Sequence, residues 1–388
     1  VKKSTPQLVK MMNRELIINE LKRNPKQSRA DLSKKTKLSK PTISEIVREL
    51  LDEELILETG IGESSGGKKP IYLTYNSRFN FVVGILIEND SIHFALGDMS
   101  GEIITLCKRK FTPHSEGTII IDSVEEEIRK LLVLENITID RVLGMVVGVS
   151  GIKMDSDDMI HSSPTIRWGD TNLRKELSAR LNVDVIIEND VNLMTIGEFY
   201  KGQGQNIANF VYLFIGNGIG SGLFLNEKFY KGTHSASGEA GFMMIGDESN
   251  VKQELGVFET NYGLFGVSER LRELEINLET SETDSLLNIL QSHQSNPGIK
   301  KILEETIDHW AKAAINLISI IDPQAVILSG ELVNMDQASL DAFKQKIKKF
   351  VPQMPEVKVT ELGSKAGIYG AFHLGLTEFH VAGFKYKK

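Results

Sequence analysis

A carboxylate at the end of an apolar strand and another inside a glycine-rich run are groups that can take the hydroxyls of a small ligand. This chain has both. The strand at 183–187 ends in Glu188-Asn189-Asp190, and a helical pattern over 191–200 begins at once. Glycines then stand at every second position, Gly216, Gly218, Gly220 and Gly222, between the strand at 210–215 and a short strand at 223–225. A polar turn leads to Ser237-Gly238-Glu239-Ala240-Gly241. In α/β sheets ligands sit beyond the carboxyl ends of strands, and glycine lets a backbone turn tightly and approach a ligand closely. The stretch 183–241 therefore reads as a small-molecule pocket. Each residue also has a plain structural use: Asp190 can cap the helix that follows it, Glu239 can serve a turn, and 216–222 can be an ordinary hairpin. Their joint order favours the pocket.

Such a pocket needs an α/β frame, and the surrounding pattern supplies one. Residues 81–87, 91–96 and 102–110 read as three strands, with turns at Asn89-Asp90 and Ser100-Gly101. A helix follows near 121–132. Residues 142–149 are continuously apolar and rich in valine, as a buried central strand should be, and end in Ser150-Gly151. The second half repeats this order loosely, with helices between 261 and 321 and a buried strand at 325–328 ending in Ser329-Gly330. Two similar lobes with a cleft between them are the economical arrangement.

Ahead of this body lies a segment of different character. The chain has 388 residues and a net charge of -7, yet residues 1–78 hold 16 Lys+Arg against 10 Asp+Glu, leaving 29 against 42 for the rest. A basic head on an acidic body suggests that the head meets a polyanion. Apolar residues from Leu8 to Leu21 recur at helical spacing. Ser28 with Asp31 forms a capping box for a second helix. Ser39 caps a third, with Pro41 in its first turn and Ile43, Ile46-Val47 and Leu50-Leu51 on one face. Its other face offers Lys40, Thr42, Ser44, Glu45 and Arg48. This is a helix-turn-helix, whose second helix would lie in the major groove. A hairpin follows, with strands at 55–58 and 71–74 and a flexible tip carrying Lys68 and Lys69, a wing suited to phosphates or the minor groove. The lone cysteine, Cys107, excludes an intrachain disulfide. No apolar run approaches a membrane span and no signal-peptide core follows the start, so a cytoplasmic protein is expected.

These motifs resemble the ROK family of repressors and sugar kinases, within the actin/hexokinase-like architecture. The family's glycine signature is matched by Ile215-Gly216-Asn217-Gly218-Ile219-Gly220-Ser221-Gly222, continuing to Gly238-Glu239-Ala240-Gly241. Its strand-end motif is matched by Glu188-Asn189-Asp190, its pre-pocket turn by Gly148-Val149-Ser150-Gly151, and the wing of its repressors by residues 64–70. The resemblance covers nearly the whole chain and lies nearest the family's xylose-type and N-acetylglucosamine-type repressors. It implies a winged helix-turn-helix at 1–78, a first α/β lobe at 79–200 and a second at 201–388, with the C-terminal helix able to return to the first lobe. It also implies a ligand site of Ser150, Thr165, Asn189, Asp190, Glu239, Phe242 and Glu259, and a DNA-reading set of Arg29, Lys40, Thr42, Ser44, Glu45, Arg48, Lys68 and Lys69.

The departures from the family pattern are as informative. The kinases' Asp-x-Gly-Gly-Thr phosphate cradle is replaced by residues 84–90, which end in Glu88-Asn89-Asp90, and a later Gly-Gly has become Ser329-Gly330-Glu331. Phosphoryl transfer is mostly phosphate positioning and charge stabilisation, so no kinase activity is expected, and Asp190 reads as the relic of a catalytic base. The family's zinc-binding histidine is replaced by Phe242, and residues 248–260 lack the matching cysteines. Structural zinc needs such ligands, so no cofactor is expected, and packing around Phe242 and Phe258 would position Glu259 instead. Thr165 stands where the family has asparagine. The expected protein is a homodimeric or dimer-of-dimers repressor of carbohydrate-utilisation genes that binds double-stranded operator DNA under control of a sugar-type effector. The alternative is a sugar kinase with a DNA-binding appendage.

Overall fold

The structure, a computed structural model, describes residues 6–61, 69–88, 90–153, 160–163, 165–251, 255–276 and 285–379. It divides into two compact units, Val1–Phe81 with Gly97–Ile104, and Val82–Leu96 with Thr105–Lys388. The division falls three residues beyond the sequence boundary. The hairpin end 97–104, assigned by sequence to the first lobe, goes with the head, where Met99 N–H donates to the Ser77 carbonyl at 2.8 Å.

The head consists of α1 (Pro6–Arg23), β1 (Gln27–Ser28), α2 (Arg29–Thr36), α3 (Lys40–Asp52), β2 (Ile56–Ile61) and β3 (Ile71–Tyr75). The Ser28–Asp31 capping box forms as expected: the Ser28 side chain accepts from the Asp31 N–H, and Asp31 accepts from the Ser28 N–H at 3.1 Å. Ser39 caps α3, with Pro41 in its first turn. Ile43, Ile46, Val47 and Leu50 are buried at i, i+3, i+4 and i+7 spacing, which fixes the face α3 turns inward. They meet Ile17, Leu21, Leu32 and Leu73, all at most 1 % exposed. One pairing was not legible in the sequence: Gln27 and Ser28 form an antiparallel bridge with β3, so the head has a three-stranded sheet in the order β1-β3-β2.

The first lobe of the second unit runs β4 (Phe81–Ile87), β5 (Ser91–Asp98), β6 (Ile103–Lys110), β7 (Ser115–Glu116), α4 (Gly117–Leu134), β8 (Val142–Val149), β9 (Ile152–Lys153), β10 (Ile160–Ser162), β11 (Ile166–Arg167), α5 (Leu173–Leu181), β12 (Val185–Asn189) and α6 (Asp190–Lys201). Its main sheet has the order β12-β8-β4-β5-β6. β4 is buried throughout, which explains its unbroken apolar sequence. β8 and β12 are parallel, pairing Gly148 with Glu188 and Val149 with Asn189. Ser150 and Asp190 therefore leave neighbouring strands at the same edge.

The second lobe comprises β13 (Phe210–Ile215), β14 (Ile219–Leu225), β15 (Lys228–Phe229), α7 (Val257–Tyr262), α8 (Leu264–Arg272), α9 (Leu286–Ser292), α10 (Pro297–Ile321), β16 (Ala325–Gly330), α11 (Gln337–Phe350), β17 (Glu356–Val359) and α12 (Lys365–Glu378). The sheet order is β15-β14-β13-β16-β17. β13, β16 and β17 are parallel, so their carboxyl ends also share one edge. Trp310, Phe258 and Phe343 anchor the core beneath, and the Trp310 indole N–H donates to the Tyr262 carbonyl at 2.9 Å. α12 packs chiefly on α6 and also on β8, a strand of the first sheet.

The glycine run resolves into two parts. Gly216 and Gly218 make the turn, with the Gly216 N–H donating to the Gly218 carbonyl at 2.8 Å. Gly220 and Gly222 instead lie inside β14, which begins four residues earlier than the sequence suggested. A Cβ on Gly222 would come within 1.7 Å of Thr195 Oγ1 on α6. That glycine is there to let helix and strand close together.

Candidate functional site

The carboxyl ends of β8 and β12 in one lobe, and of β13, β16 and β17 in the other, border one cavity of about 350 Å³. That lies within the ~300–1,000 Å³ usual for small-molecule sites. Six of the seven expected ligand residues line it: Ser150, Asn189, Asp190, Glu239, Phe242 and Glu259. Ser150 Oγ donates to Asp190 Oδ2 at 2.5 Å, and the Val191 N–H donates to Oδ1 at 2.9 Å. Asn189 caps α6 through its side-chain oxygen, which accepts the Asn192 N–H at 3.1 Å, while its amide group donates to the Gly151 carbonyl. The cap is thus Asn189, one residue before Asp190, which leaves the Asp190 carboxylate for the cavity.

Glu259 reaches the cavity from α7, where Oε2 accepts the Ile219 N–H at 2.7 Å. This corrects the expected packing. Phe258 is fully buried, whereas Phe242 is 47 % exposed at the cavity wall, and a backbone hydrogen bond holds Glu259 in place. Thr165 is the seventh expected residue and is not among those lining the cavity. Its carbonyl accepts the His114 N–H at 2.6 Å, and the adjacent β11 pairs with β7. The segment is tied to residues 114–116 instead. Pro164 lies outside the described residues.

Burial pushes the Asp190 carboxyl above the usual carboxylate range, opposed by its bonds from Ser150 and Val191. Burial also raises Glu259, opposed by the Ile219 N–H. Glu239 is pushed up to about 7, first by burial and then by the charges of Glu259 and Asp190. No Lys, Arg or His is among the described residues lining the cavity. Lys231 stands close by, but its Nζ is paired with the strand-end Glu188 at 2.7 Å.

At the other end of the cavity the sequence marked Glu88 and Ser329 only as departures from a phosphate-binding pattern, and did not single out Thr360 or Ser364. Glu88, Ser329, Thr360 and Ser364 all line it. Ser364 Oγ donates to Glu88 Oε2 at 3.1 Å, and the buried Tyr212 hydroxyl donates to Ser329 Oγ at 2.6 Å. Ser329 stands at the end of β16 and Thr360 follows the parallel strand β17, while Glu88 follows β4 of the other lobe, so residues far apart in sequence meet here. Glu331 points elsewhere: its carboxylate accepts the Leu287 N–H at 2.6 Å in the first turn of α9. Phe242 at the cavity wall and residues 248–260, which hold neither His nor Cys, supply no nitrogen or sulfur ligand of the kind a tetrahedral zinc takes.

On the head, Lys40, Ser44 and Arg48 are exposed on α3, and Lys69 is exposed at the foot of the wing. Lys68 and the rest of 62–68 lie outside the described residues. Three expected DNA residues are engaged within the head. Thr42 Oγ1 lies 2.8 Å from Ser39 Oγ in the α3 cap. Glu45 lies on the α1 side, 3.9 Å from Lys10, where Glu49 also pairs with Lys10 and Arg14. Arg29 lies 3.5 Å from Glu58 on β2. The sequence passed over Lys34, exposed in the last turn of α2, and Lys37, exposed in the turn that follows it.

Comparison with known proteins agrees with both parts. The profile of the ROK family matches residues 82–378, and that of a winged helix-turn-helix DNA-binding domain matches 13–56. The xylose repressor of Bacillus subtilis (strain 168) is 29 % identical over 350 residues, 88 % of each chain. The DNA-binding transcriptional dual regulator NagC of Escherichia coli (strain K12) is 21 % identical over 392 residues, 95 % of this chain and 93 % of that one. Among solved structures, a ROK family transcriptional regulator described as a homologue of the Escherichia coli MLC protein superposes with TM-score 0.71 at 19 % identity, covering 95 % of this chain and 99 % of that one. A ROK family glucokinase from Streptomyces griseus, in complex with glucose and AMPPNP, gives TM-score 0.61 at 20 % identity, covering 76 % and 99 %.

Proposed function

The chain belongs to the ROK family, and on that premise we propose that it is a cytoplasmic repressor of carbohydrate-utilisation genes, released from operator DNA by a sugar or sugar derivative. One observation carries the proposal. A single chain joins a helix-turn-helix, with Lys40, Ser44 and Arg48 outward, to a cavity lined by carboxylates and without a cation among its described lining residues. Ionised carboxylates accept hydrogen bonds from hydroxyls and repel phosphates. Such a cavity suits a polyol better than a nucleotide. The xylose repressors among its relatives put pentoses first in a test panel.

Two copies would read a palindromic operator, as two-fold dimers of helix-turn-helix proteins do. The effector must then bind the DNA-free state more tightly than the DNA-bound one, since only differential affinity shifts such an equilibrium. The test is fluorescence anisotropy on a DNA sequence selected from a random pool, titrated with monosaccharides, amino sugars and sugar phosphates. DNA binding that no sugar alters would remove the effector half of the proposal.

The buried Asp190 favours one second reading, a sugar kinase, because a carboxylate with a raised pKa beside a hydroxyl site is a workable general base. Against it stand Glu88 at the far end of the cavity and the want of a phosphate-holding cation. A coupled ATPase assay with the same sugars decides: turnover with any of them would establish the kinase.

A further inference from the structure

The cavity has two ends: the proposed effector contacts at Glu239 and Glu259 occupy one, and Asp190, close enough to feel the charge of Glu88 and to act on Glu239, stands between them. Strand register gives the distance between the ends. Ile219, whose N–H holds Glu259, pairs with Ile215 on β13, and Ile215 pairs with Gly330 on β16. Ile219 and Gly330 are therefore two strand spacings apart, about 10 Å. Both line the same continuous cavity. A single pyranose or pentose ring bonded to Glu239 and Glu259 fills the Ile219 side of that span and leaves the Gly330 side open.

The chemistry of the far end says what could fill it. Ser329 is oriented by the Tyr212 hydroxyl at 2.6 Å, and Ser364 by Glu88 at 3.1 Å. Thr360 and the Gly330 backbone complete that wall, with Val333 as an apolar face that is 42 % exposed. Hydroxyls, a carboxylate and one apolar side chain repeat the character of the first end. Neither end has a basic lining residue among those described, so a phosphate or nucleotide would have no counter-charge.

We propose that the effector is an unphosphorylated saccharide of two linked rings, with the second ring against Ser329, Thr360, Ser364 and Val333. This rests on the sugar-effector reading above and deepens it. The glycosidic linkage would lie between the lobes, near Ser150 and Gly330. A disaccharide then spans the second sheet from β14 to β16 while also reaching Asp190 of the first lobe, where a monosaccharide contacts only part of that span.

The test is isothermal titration calorimetry on the full chain with D-xylose and xylobiose, D-glucose and cellobiose, and glucose 6-phosphate and ATP as anionic controls. At least one disaccharide should bind ten-fold or more tightly than its own monosaccharide, and the controls should bind weakest. Val333→Trp, a change at a part-exposed position that fills the far end, should bring the two affinities together. Equal affinity for monosaccharide and disaccharide in the unaltered protein would overturn the two-ring claim and leave the sugar reading standing. So would a sugar phosphate that binds tightest. If no saccharide binds, both fall.

Discussion

Glu259 Oε2 accepts the Ile219 N–H at 2.7 Å, so a side chain from α7 is held by the first residue of β14. The contact is close on every side: a Cβ on Gly241 would come within 2.8 Å of the same oxygen. A main-chain donor thus does the positioning. The purified protein should contain far less than one zinc per chain by elemental analysis, and EDTA should leave its melting temperature unchanged. A stoichiometric zinc would show that this loop has been misread.

Asp190→Asn keeps the size of the side chain but loses its charge-assisted hydrogen bonds. A buried polar group deprived of a partner costs about 1–3 kcal/mol. Effector-driven release from DNA should therefore need ten-fold or more effector, while operator affinity without effector stays within two-fold. Release at the concentration that suffices for the unaltered protein would leave Asp190 a structural residue only.

On the head, Arg48→Ala should cost about 1–3 kcal/mol of operator affinity and relax the sequence preference at one position. Lys68→Ala with Lys69→Ala should weaken binding to all sequences and reduce its salt dependence. Glu45→Ala should do neither, because its 3.9 Å approach to Lys10 is a surface ion pair worth ~1 kcal/mol at most. Titrations of the three variants at two salt concentrations check all of this. A large loss of specificity in Glu45→Ala would return that residue to the DNA interface.

Glu239 titrates at about 7, above the ordinary 4.5. A carboxyl raised on folding lends its full stabilisation below its unfolded pKa, and loses it as pH rises through the folded one. Between about pH 4.5 and 7 Glu239 therefore makes the protein progressively less stable. Glu239→Gln should be more stable than the unaltered protein at pH 8, by an order of 1–2 kcal/mol, and equal to it near pH 4.5. Denaturant titrations at the two pH values test the sign. A variant less stable at pH 8 would mean that the Glu239 charge is compensated.

What the sequence made legible was local. The Ser28–Asp31 box, the Ser39 cap and the strand at 142–149 each depend on residues within one turn or one strand; the strand read at 183–187 is there too, shifted two residues on to Val185–Asn189. What it hid depends on pairing at long range. Thr360 and Ser364 reach the cavity because β17 runs parallel to β16 beside it, a pairing that no spacing of residue types encodes. Glu45, placed on the DNA face by the helical period beside Ser44 and Arg48, is exposed there and also comes within 3.9 Å of Lys10 on α1, a neighbour the period does not reveal. Gly220 and Gly222 carried the right signal, close approach, but what approaches Gly222 is the Thr195 side chain.

The position of α12 bears on how the protein is made. Its Phe372 lies against Gly84 of β4, and Ala371 shares a core cluster with Val146 and Leu193. β4 leaves the ribosome early and α12 nearly last, so at about 5–20 residues per second the first sheet waits on the order of tens of seconds for its covering helix. During that interval its apolar face is open to chaperones or to a neighbouring nascent chain. The head has no such dependence on late sequence, since its helices and its wing strands come from the first part of the chain and the hairpin end 97–104. Translation that stops before Lys365 would therefore release a finished helix-turn-helix head joined to an unfinished second unit.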